Sequence, residues 1–241
     1  MLLYATGQFG GGAPGTSGIG GPFKLTDQNG QPITDADLSN EVFPYLTARP
    51  IRVADLDVDA VRISYAGELG WELACAAADG SRLWDALWNA GAAHGLIAAG
   101  RAALGTLRLE KGYRAWGADM TRGDAPEEAG LGFTVRATDR EFIGADALAE
   151  RPPAARTLRT IALDDEQVAM GAEPVEVGGE SVGFVTSAGW GPTVERSIAY
   201  AWLPRGLATD TDVDVRYFDR TLHGRLTRTT MFDPDGERVR S

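Results

Sequence analysis

The stretch Arg151-Pro152-Pro153-Ala154-Ala155 limits this chain more than any other. Two successive prolines remove two backbone donors and fix φ at both positions, so neither a helix interior nor a central strand runs through them. The hydrophobic pattern differs on the two sides. After it, apolar residues recur at Leu158-Ile161-Leu163, Val175-Val177, Val182-Phe184-Val185, Ile198-Tyr200-Trp202, Val213-Val215-Tyr217 and Leu226 to Phe232, with the turn Gly178-Gly179 among them. Six short strands with hardly any helical period predict a small all-β barrel or sandwich over residues 156–241. Before it, residues 23–151 mix strand alternation with helical stripes. That order predicts an α+β domain, an antiparallel sheet with helices on one face.

Residues 1–22 carry eight glycines between Gly7 and Gly21 and read as a flexible linker. Gly10, Gly12 and Gly15 formally match a dinucleotide fingerprint. No strong strand precedes them, and Pro14 sits where a helix would have to open, so the match has no context. Further on, Asn29-Gly30 signals a tight turn, and Thr34 or Asp35 is placed to cap a short helix through Leu38, Val42 and Phe43.

Composition excludes several classes. A net charge of −11 argues against nucleic acid or an anionic membrane as partner, since both need a basic surface. Cys75 is the lone cysteine, and with only His94 and His223 as histidines no zinc set of the usual type can form. No apolar run approaches the length of a membrane span, and the N-terminus lacks the basic and apolar regions of a signal peptide. A reducing, cytoplasmic setting is expected.

The stretch Val61 to Cys75, V-R-I-S-Y-A-G-E-L-G-W-E-L-A-C, alternates at Val61, Ile63 and Tyr65 and again at Trp71, Leu73 and Cys75. This predicts a hairpin with Glu68 at its tip and Glu72 on the face opposite Trp71 and Leu73. A carboxylate on a sheet face beside a tyrosine and two glycines suits a flat heterocycle with paired N–H donors. Exposed glutamate is also the common case, so the pattern leaves open whether Glu68 and Glu72 are simply solvated.

Asp79 or Ser81 then caps a helix with Leu83, Trp84, Leu87 and Trp88 on one stripe, which Gly95 ends. A second helix spans Arg101 to Lys111 with Ala103, Leu104 and Leu107 inward and Arg101, Arg108 and Lys111 outward or toward a cleft. Gly105 within it suggests close approach of another backbone. After Gly112, the loop Tyr113-Arg114-Ala115-Trp116-Gly117 offers rings to cover a heterocycle and an arginine for an anionic tail. Equally, it could plug its apolar residues into the core.

The strings I-S-Y-A-G-E-L-G-W-E-L and R-L-E-K-G-Y-R-A-W-G-A-D-M-T, the latter from Arg108 to Thr121, resemble the folate-binding aminomethyltransferase family. That family includes the glycine cleavage T-protein and the C-terminal halves of sarcosine and dimethylglycine dehydrogenases, and these motifs look more like the dehydrogenase branch. The resemblance implies one-carbon transfer to tetrahydrofolate in demethylation of N-methyl amines or in glycine cleavage. It implies Glu72 as the pterin carboxylate, with Tyr65 close to the folate and Glu68 in the same motif. Position in the motifs further suggests Tyr113 and Trp116 as pocket walls and Arg108 or Arg114 near the p-aminobenzoyl-glutamate end.

Departures from the family pattern matter too. Where the T-protein carries A-R-D-S, this chain has Ala103-Leu104-Gly105-Thr106. No residue matches the family's catalytic aspartate, whose segment lies upstream of the hairpin, so no catalytic residue is assigned. The resemblance therefore implies an N-terminally truncated, partial module that works with a separate flavoprotein dehydrogenase subunit, any FAD being held there. The alternative is a non-catalytic folate-binding or docking domain, a truncated fragment of a flavin-dependent dehydrogenase.

Overall fold

The computed structural model describes residues 3–5, 25–26, 32–33, 38–135 and 142–240, the first three stretches as backbone only. The chain forms two compact units, residues 1–104 with 235–241 and residues 105–234.

The first unit is built on a five-stranded antiparallel sheet. Besides β1 (Leu3–Ala5), its strands are β2 (Leu25–Thr26), β3 (Pro32–Ile33), β4 (Ala48–Val53), β5 (Leu56–Val61) and β6 (Glu72–Ala74), in the order β3-β2-β4-β5-β6. β4 and β5 join through the two-residue turn Ala54-Asp55, with Ala54 at φ +55°. Alternation along them is strict: Ile51, Val53, Leu56, Val58 and Ala60 face the core, while Pro50, Asp57 and Asp59 face outward.

The helix α1 (Gly80–Gly91) covers the apolar face. Leu83, Ala86 and Leu87, at the i, i+3, i+4 spacing of one helical stripe, join that core with Phe43 and Leu73. Trp84 and Trp88 do not complete the expected stripe. They stack on each other at 5.6 Å along its flank, with Trp88 exposed. Asp79 precedes the helix without a capping bond, its Oδ1 taking Arg82 Nη1 at 2.7 Å instead. The helix stops at Gly91, before the expected end at Gly95, which at φ +72° closes the short turn that follows instead.

Strand β7 (Leu96–Ala98) pairs with β1, so residues 3–5 form a strand where the glycine-rich segment had been read as linker. The rest of residues 1–22, the Asn29-Gly30 turn and the Thr34/Asp35 cap lie outside the described residues. From Leu38 to Tyr45 the chain forms turns rather than a regular helix, with Phe43 buried and Val42 exposed.

The hairpin exists, but its first arm is shorter than the alternation suggested. β5 pairs with β6 in the register Asp59↔Ala74, Ala60↔Leu73, Val61↔Glu72, leaving ten residues, 62–71, as connection. The Ile63 N–H bonds back to the Val61 carbonyl at 3.0 Å, a three-residue turn centred on Arg62 that breaks the extended path. Arg62 itself is buried. Its Nη1 donates to the carbonyls of Leu38 and Phe43 at 3.1 and 2.8 Å, and its guanidinium sits 5.4 Å over the Trp71 ring.

The second unit is a barrel with its attached loop. After α2 (Arg101–Glu110) and the short α3 (Ala145–Ala149) come β8 (Arg156–Leu163), β9 (Pro174–Val177), β10 (Glu180–Gly191), β11 (Arg196–Pro204), β12 (Asp212–Tyr217) and β13 (Arg220–Thr227). They close in the order β10-β11-β8-β13-β12-β9, all antiparallel, which settles barrel over sandwich. The last strand begins earlier than the Leu226–Phe232 run suggested. Leu222, Gly224 and Leu226 point inward, alternating with His223 and Arg225 outside, and β13 ends at Thr227.

Ile161, Val175, Val185, Ala199, Leu203, Val215, Leu222 and Leu226 fill the interior. A Cβ added at Gly183 would lie 1.9 Å from the Trp202 carbonyl oxygen, so only glycine allows that close crossing. Strand β11 is buried on both faces, since Ile198, Tyr200 and Trp202 pack outward against Leu109 and Ala129. Leu109, at the end of α2, and Ala129 of the loop that follows thus dock on the barrel's outer wall. The Arg151–Ala155 stretch marks where the barrel strands begin, while the compact units part within α2.

Replacing Leu222, fully buried in the barrel, with alanine is expected to lower unfolding free energy by about 2–5 kcal/mol in urea titration.

Candidate functional site

The seven residues singled out from sequence divide between the units: Tyr65, Glu68 and Glu72 in the first, and Arg108, Tyr113, Arg114 and Trp116 in the second. Within the first, Glu72 opens β6 on the outward face, opposite Val61 across the ladder. Its side chain is exposed, and among the described residues it takes no hydrogen bond or ion pair. Trp71, on the other side, packs edge-on against Phe43 at 6.4 Å. The expected division of faces therefore holds.

Glu68 lies in the connection, where its N–H and that of Gly67 donate to Ser64 Oγ at 3.1 and 3.0 Å, and Arg238 Nη1 stands 4.0 Å from its carboxylate. Ser64 thereby shapes the turn that carries Glu68. Tyr65 is half-buried in the same connection.

In the second unit, the string from Arg108 to Asp119 folds into a clasp of buried polar contacts. Arg108 lies at the end of α2, and its Nη1 meets Asp119 Oδ2 at 2.5 Å and donates to the Tyr113 carbonyl at 3.1 Å. Asp119, 0% exposed, also accepts the Ala115 N–H on Oδ2 at 2.8 Å. Its Oδ1 takes the hydroxyls of Thr186 and Ser187, both at 2.6 Å. Consecutive strand residues normally face opposite sides; here a register shift between Val185 and Ser187 lets both hydroxyls reach one oxygen.

Glu110, also 0% exposed, accepts the N–H groups of Thr193 and Val194 on Oε1 at 2.6 and 3.0 Å, fixing the β10–β11 turn to α2. Its Oε2 finds no hydrogen-bond partner among the described residues. Its backbone carbonyl accepts the N–H groups of Met231 and Phe232 at 3.0 Å each. Lys111 Nζ reaches both the side chain and the carbonyl of Asp233. Gly112 then turns the chain at φ +80°, where a Cβ would lie 2.8 Å from the Thr229 carbonyl oxygen.

This arrangement corrects the expected helix faces. Arg108 and Lys111, expected outward or toward a cleft, are buried in internal ion pairs, and Ala103 is exposed rather than inward. Gly105, expected to admit a close backbone, faces open space. Both arginines spend donors on the protein: besides Arg108, Arg114 Nε donates to the Ala129 carbonyl at 2.7 Å and its Nη1 to the Gly112 carbonyl. Burial pulls the Arg114 guanidinium below its ordinary range, with Tyr200 and Asp119 opposing that and Arg108 adding to it.

The loop after Gly112 presents Trp116. Tyr113 is half-buried, its N–H bonded to the Arg108 carbonyl at 2.9 Å. Ala115–Met120 closes on itself through Gly117 N–H to Met120 C=O and Asp119 N–H to Ala115 C=O, each at 2.8 Å. Trp116, at its tip, is 66% exposed. Trp116 is a candidate from the sequence, whereas Asp119 and Glu110, the buried anchors, are not among the sequence candidates. Their signal was position: both are acidic residues inside a motif otherwise rich in arginine, lysine and aromatics.

Two family models match in the order of these elements. The GCVT N-terminal domain covers residues 28–139, and the glycine cleavage T-protein C-terminal barrel domain covers residues 156–233. The chain belongs to the glycine cleavage T-protein family.

Similar proteins include mitochondrial sarcosine dehydrogenase of Mus musculus, 39% identical over 87% of this chain and 24% of that protein. Mitochondrial dimethylglycine dehydrogenase of Rattus norvegicus is 36% identical over 79% of this chain and 22% of that protein. An aminomethyltransferase of Symbiobacterium thermophilum is 36% identical over 84% of this chain and 55% of that protein. The chain thus spans about a quarter of these dehydrogenases and about half of the aminomethyltransferase. The crystal structure of the glycine cleavage system aminomethyltransferase T from Bartonella henselae superposes with a TM-score of 0.72 at 24% identity, over 83% of this chain and 56% of that one. The chain is an aminomethyltransferase-like domain related to sarcosine and dimethylglycine dehydrogenases. Its sheet-and-helix unit and closed barrel are the family's fold, as the resemblance implied.

Because Glu110 Oε1 joins α2 to the β10–β11 turn, Glu110→Ala is expected to lower stability by about 1–3 kcal/mol. Glu110→Gln, which keeps the accepting oxygen, should lose less. Urea unfolding of the two variants side by side checks this.

Proposed function

We propose that the chain is a tetrahydrofolate-dependent one-carbon transfer module of the sarcosine/dimethylglycine dehydrogenase type. The observation that carries this reading is Glu72. Of the acidic residues in the two family-like motifs, Glu110 and Asp119 are consumed inside the barrel unit. Glu68 has Arg238 beside it. Glu72 keeps an uncommitted carboxylate on an open strand face.

A carboxylate accepting the 2-amino and N3–H donors of a pterin forms a paired, charge-assisted contact stronger than neutral hydrogen bonds. Tetrahydrofolate, when bound, supplies the N5 nucleophile that takes up the one-carbon unit. Glu72 orients the heterocycle through that paired contact. Catalysis by such a module rests on orientation and exclusion of water rather than on a covalent enzyme adduct. The imine-level substrate would come from oxidation of an N-methyl amine by a flavoprotein partner, where FAD chemistry resides. A reducing compartment suits the half-buried lone cysteine, Cys75. Among the described residues no helix is long and apolar enough to cross a membrane.

Isothermal titration of the purified chain with folinate tests the reading. Glu72→Ala should weaken binding by about tenfold or more. The melting temperature should stay unchanged, because the side chain is exposed. Equal affinity in the variant removes the pterin role from Glu72. With a flavoprotein dehydrogenase and sarcosine added, formation of 5,10-methylenetetrahydrofolate supports the transferase role, whereas binding without transfer assigns the chain a folate-holding one.

A further inference from the structure

The chain holds two Asp–Gly pairs, Asp79-Gly80 and Asp235-Gly236, and folding treats them in opposite ways. In such a pair the glycine nitrogen can close on the aspartate side chain, since glycine has no Cβ to stand in the way. Asp79 is protected from this. Its Oδ1 takes Arg82 Nη1 at 2.7 Å, and the Gly80 N–H is donated to the Ala77 carbonyl from helical backbone at φ −55° and ψ −43°. Asp233, two residues ahead of the second pair, is spared by chemistry, because Pro234 has no N–H to lose.

Asp235-Gly236 has neither safeguard. Both residues belong to the first unit. Asp235 is exposed, and among the described residues its carboxylate takes no hydrogen bond or ion pair, while the Gly236 N–H has no acceptor. Gly236 turns the chain at φ +68°. Arg240 adds what the sequence pair alone lacks. Its Nη2 donates to the Asp235 main-chain carbonyl, which is the carbonyl of the Asp235–Gly236 peptide bond. Its guanidinium lies so near that a Cβ on Gly236 would stand 3.4 Å from Nη1. An unengaged carboxyl, an amide with no acceptor and a cation therefore meet at one peptide bond. The cation stabilises negative charge that builds on the carbonyl oxygen, first as the amide gives up its proton and again as water adds to the carbonyl carbon.

We propose that Asp235-Gly236 is a self-modifying site that converts to isoaspartate through a cyclic imide, with Arg240 promoting both steps. The Gly236 nitrogen bonds to Asp235 Cγ, and the amide hydrogen leaves with the carboxyl OH as one molecule of water. Water then adds back. Attack at Cγ restores aspartate. Attack at the main-chain carbonyl carbon, whose oxygen Arg240 holds, breaks its bond to the Gly236 nitrogen and leaves the chain running through Cβ and Cγ. Nothing is oxidised or reduced, and the net mass is unchanged. The product carries one extra main-chain carbon ahead of the Arg238–Arg240 turn, in which Val239 is buried. The site is independent of the folate reading.

The test is to age the purified full chain at neutral pH in warm heavy-oxygen water and map isoaspartate in its tryptic peptides. Thr229–Arg238 and Ile63–Arg82 report the two pairs separately. Mapping also keeps Asn29-Gly30, which reaches isoaspartate by losing ammonia, out of the count. Isoaspartate with heavy oxygen incorporated should accumulate at Asp235 faster in the folded chain than in the same chain unfolded in guanidinium chloride. At Asp79, folding should slow it instead. Arg240→Ala should slow conversion at Asp235 at least about threefold in the folded chain and leave the rate in guanidinium chloride unchanged. Arg240 is exposed, so the variant should keep its melting temperature. Equal folded-state rates with and without Arg240, or a folded rate at Asp235 no higher than the unfolded one, would overturn the proposal.

Discussion

A carboxylate removed from water must be met by donors on every side or it destabilises the fold that buries it. Asp119 is met by a guanidinium, a backbone amide and two hydroxyls, drawn from a helix end, a loop and a barrel strand. Much of the second unit's organisation depends on satisfying that one group. Glu110 extends the arrangement by tying α2 to the β10–β11 turn, and Lys111 extends it to the segment after β13 through Asp233. Strand β11, apolar on both faces, supplies the dry surface on which these contacts form.

Periodicity made the barrel legible because strands that alternate against a closed interior have little freedom in register. It misplaced β13, where inward Leu222 and Gly224 are separated by His223, and a run scored on apolar content alone starts too late. The first hairpin shows the reverse error. Ile63 and Tyr65 continue the alternation on paper, but the turn at Arg62 sends its guanidinium into the core, and no local propensity announces a buried arginine capped by two carbonyls. Helix α2 was misread for a related reason. Arg108 and Lys111 look like an outer face until their carboxylate partners, distant in sequence or in a loop, are known.

Site residues were legible only in part. The face of Glu72 followed from strand period and was correctly placed opposite Trp71. The two arginines came from motif position, and the structure gives both of them internal partners, shifting the interest of the second motif from its cations to its aspartate and its tryptophan. Charged residues within a recurring motif are as apt to hold the loop as to hold the ligand.

The irregularity in β10 has a consequence for how relatives of this chain can exchange parts. A barrel with a regular β10 would still close and still pack its interior, yet it would send one of the two hydroxyls away from Asp119. One part of the compatibility between a barrel and the helix-loop segment ahead of it therefore resides in a single inserted residue. A chimera assembled at the diproline junction inherits a working latch only when both halves were drawn from lineages sharing that extra step in the strand.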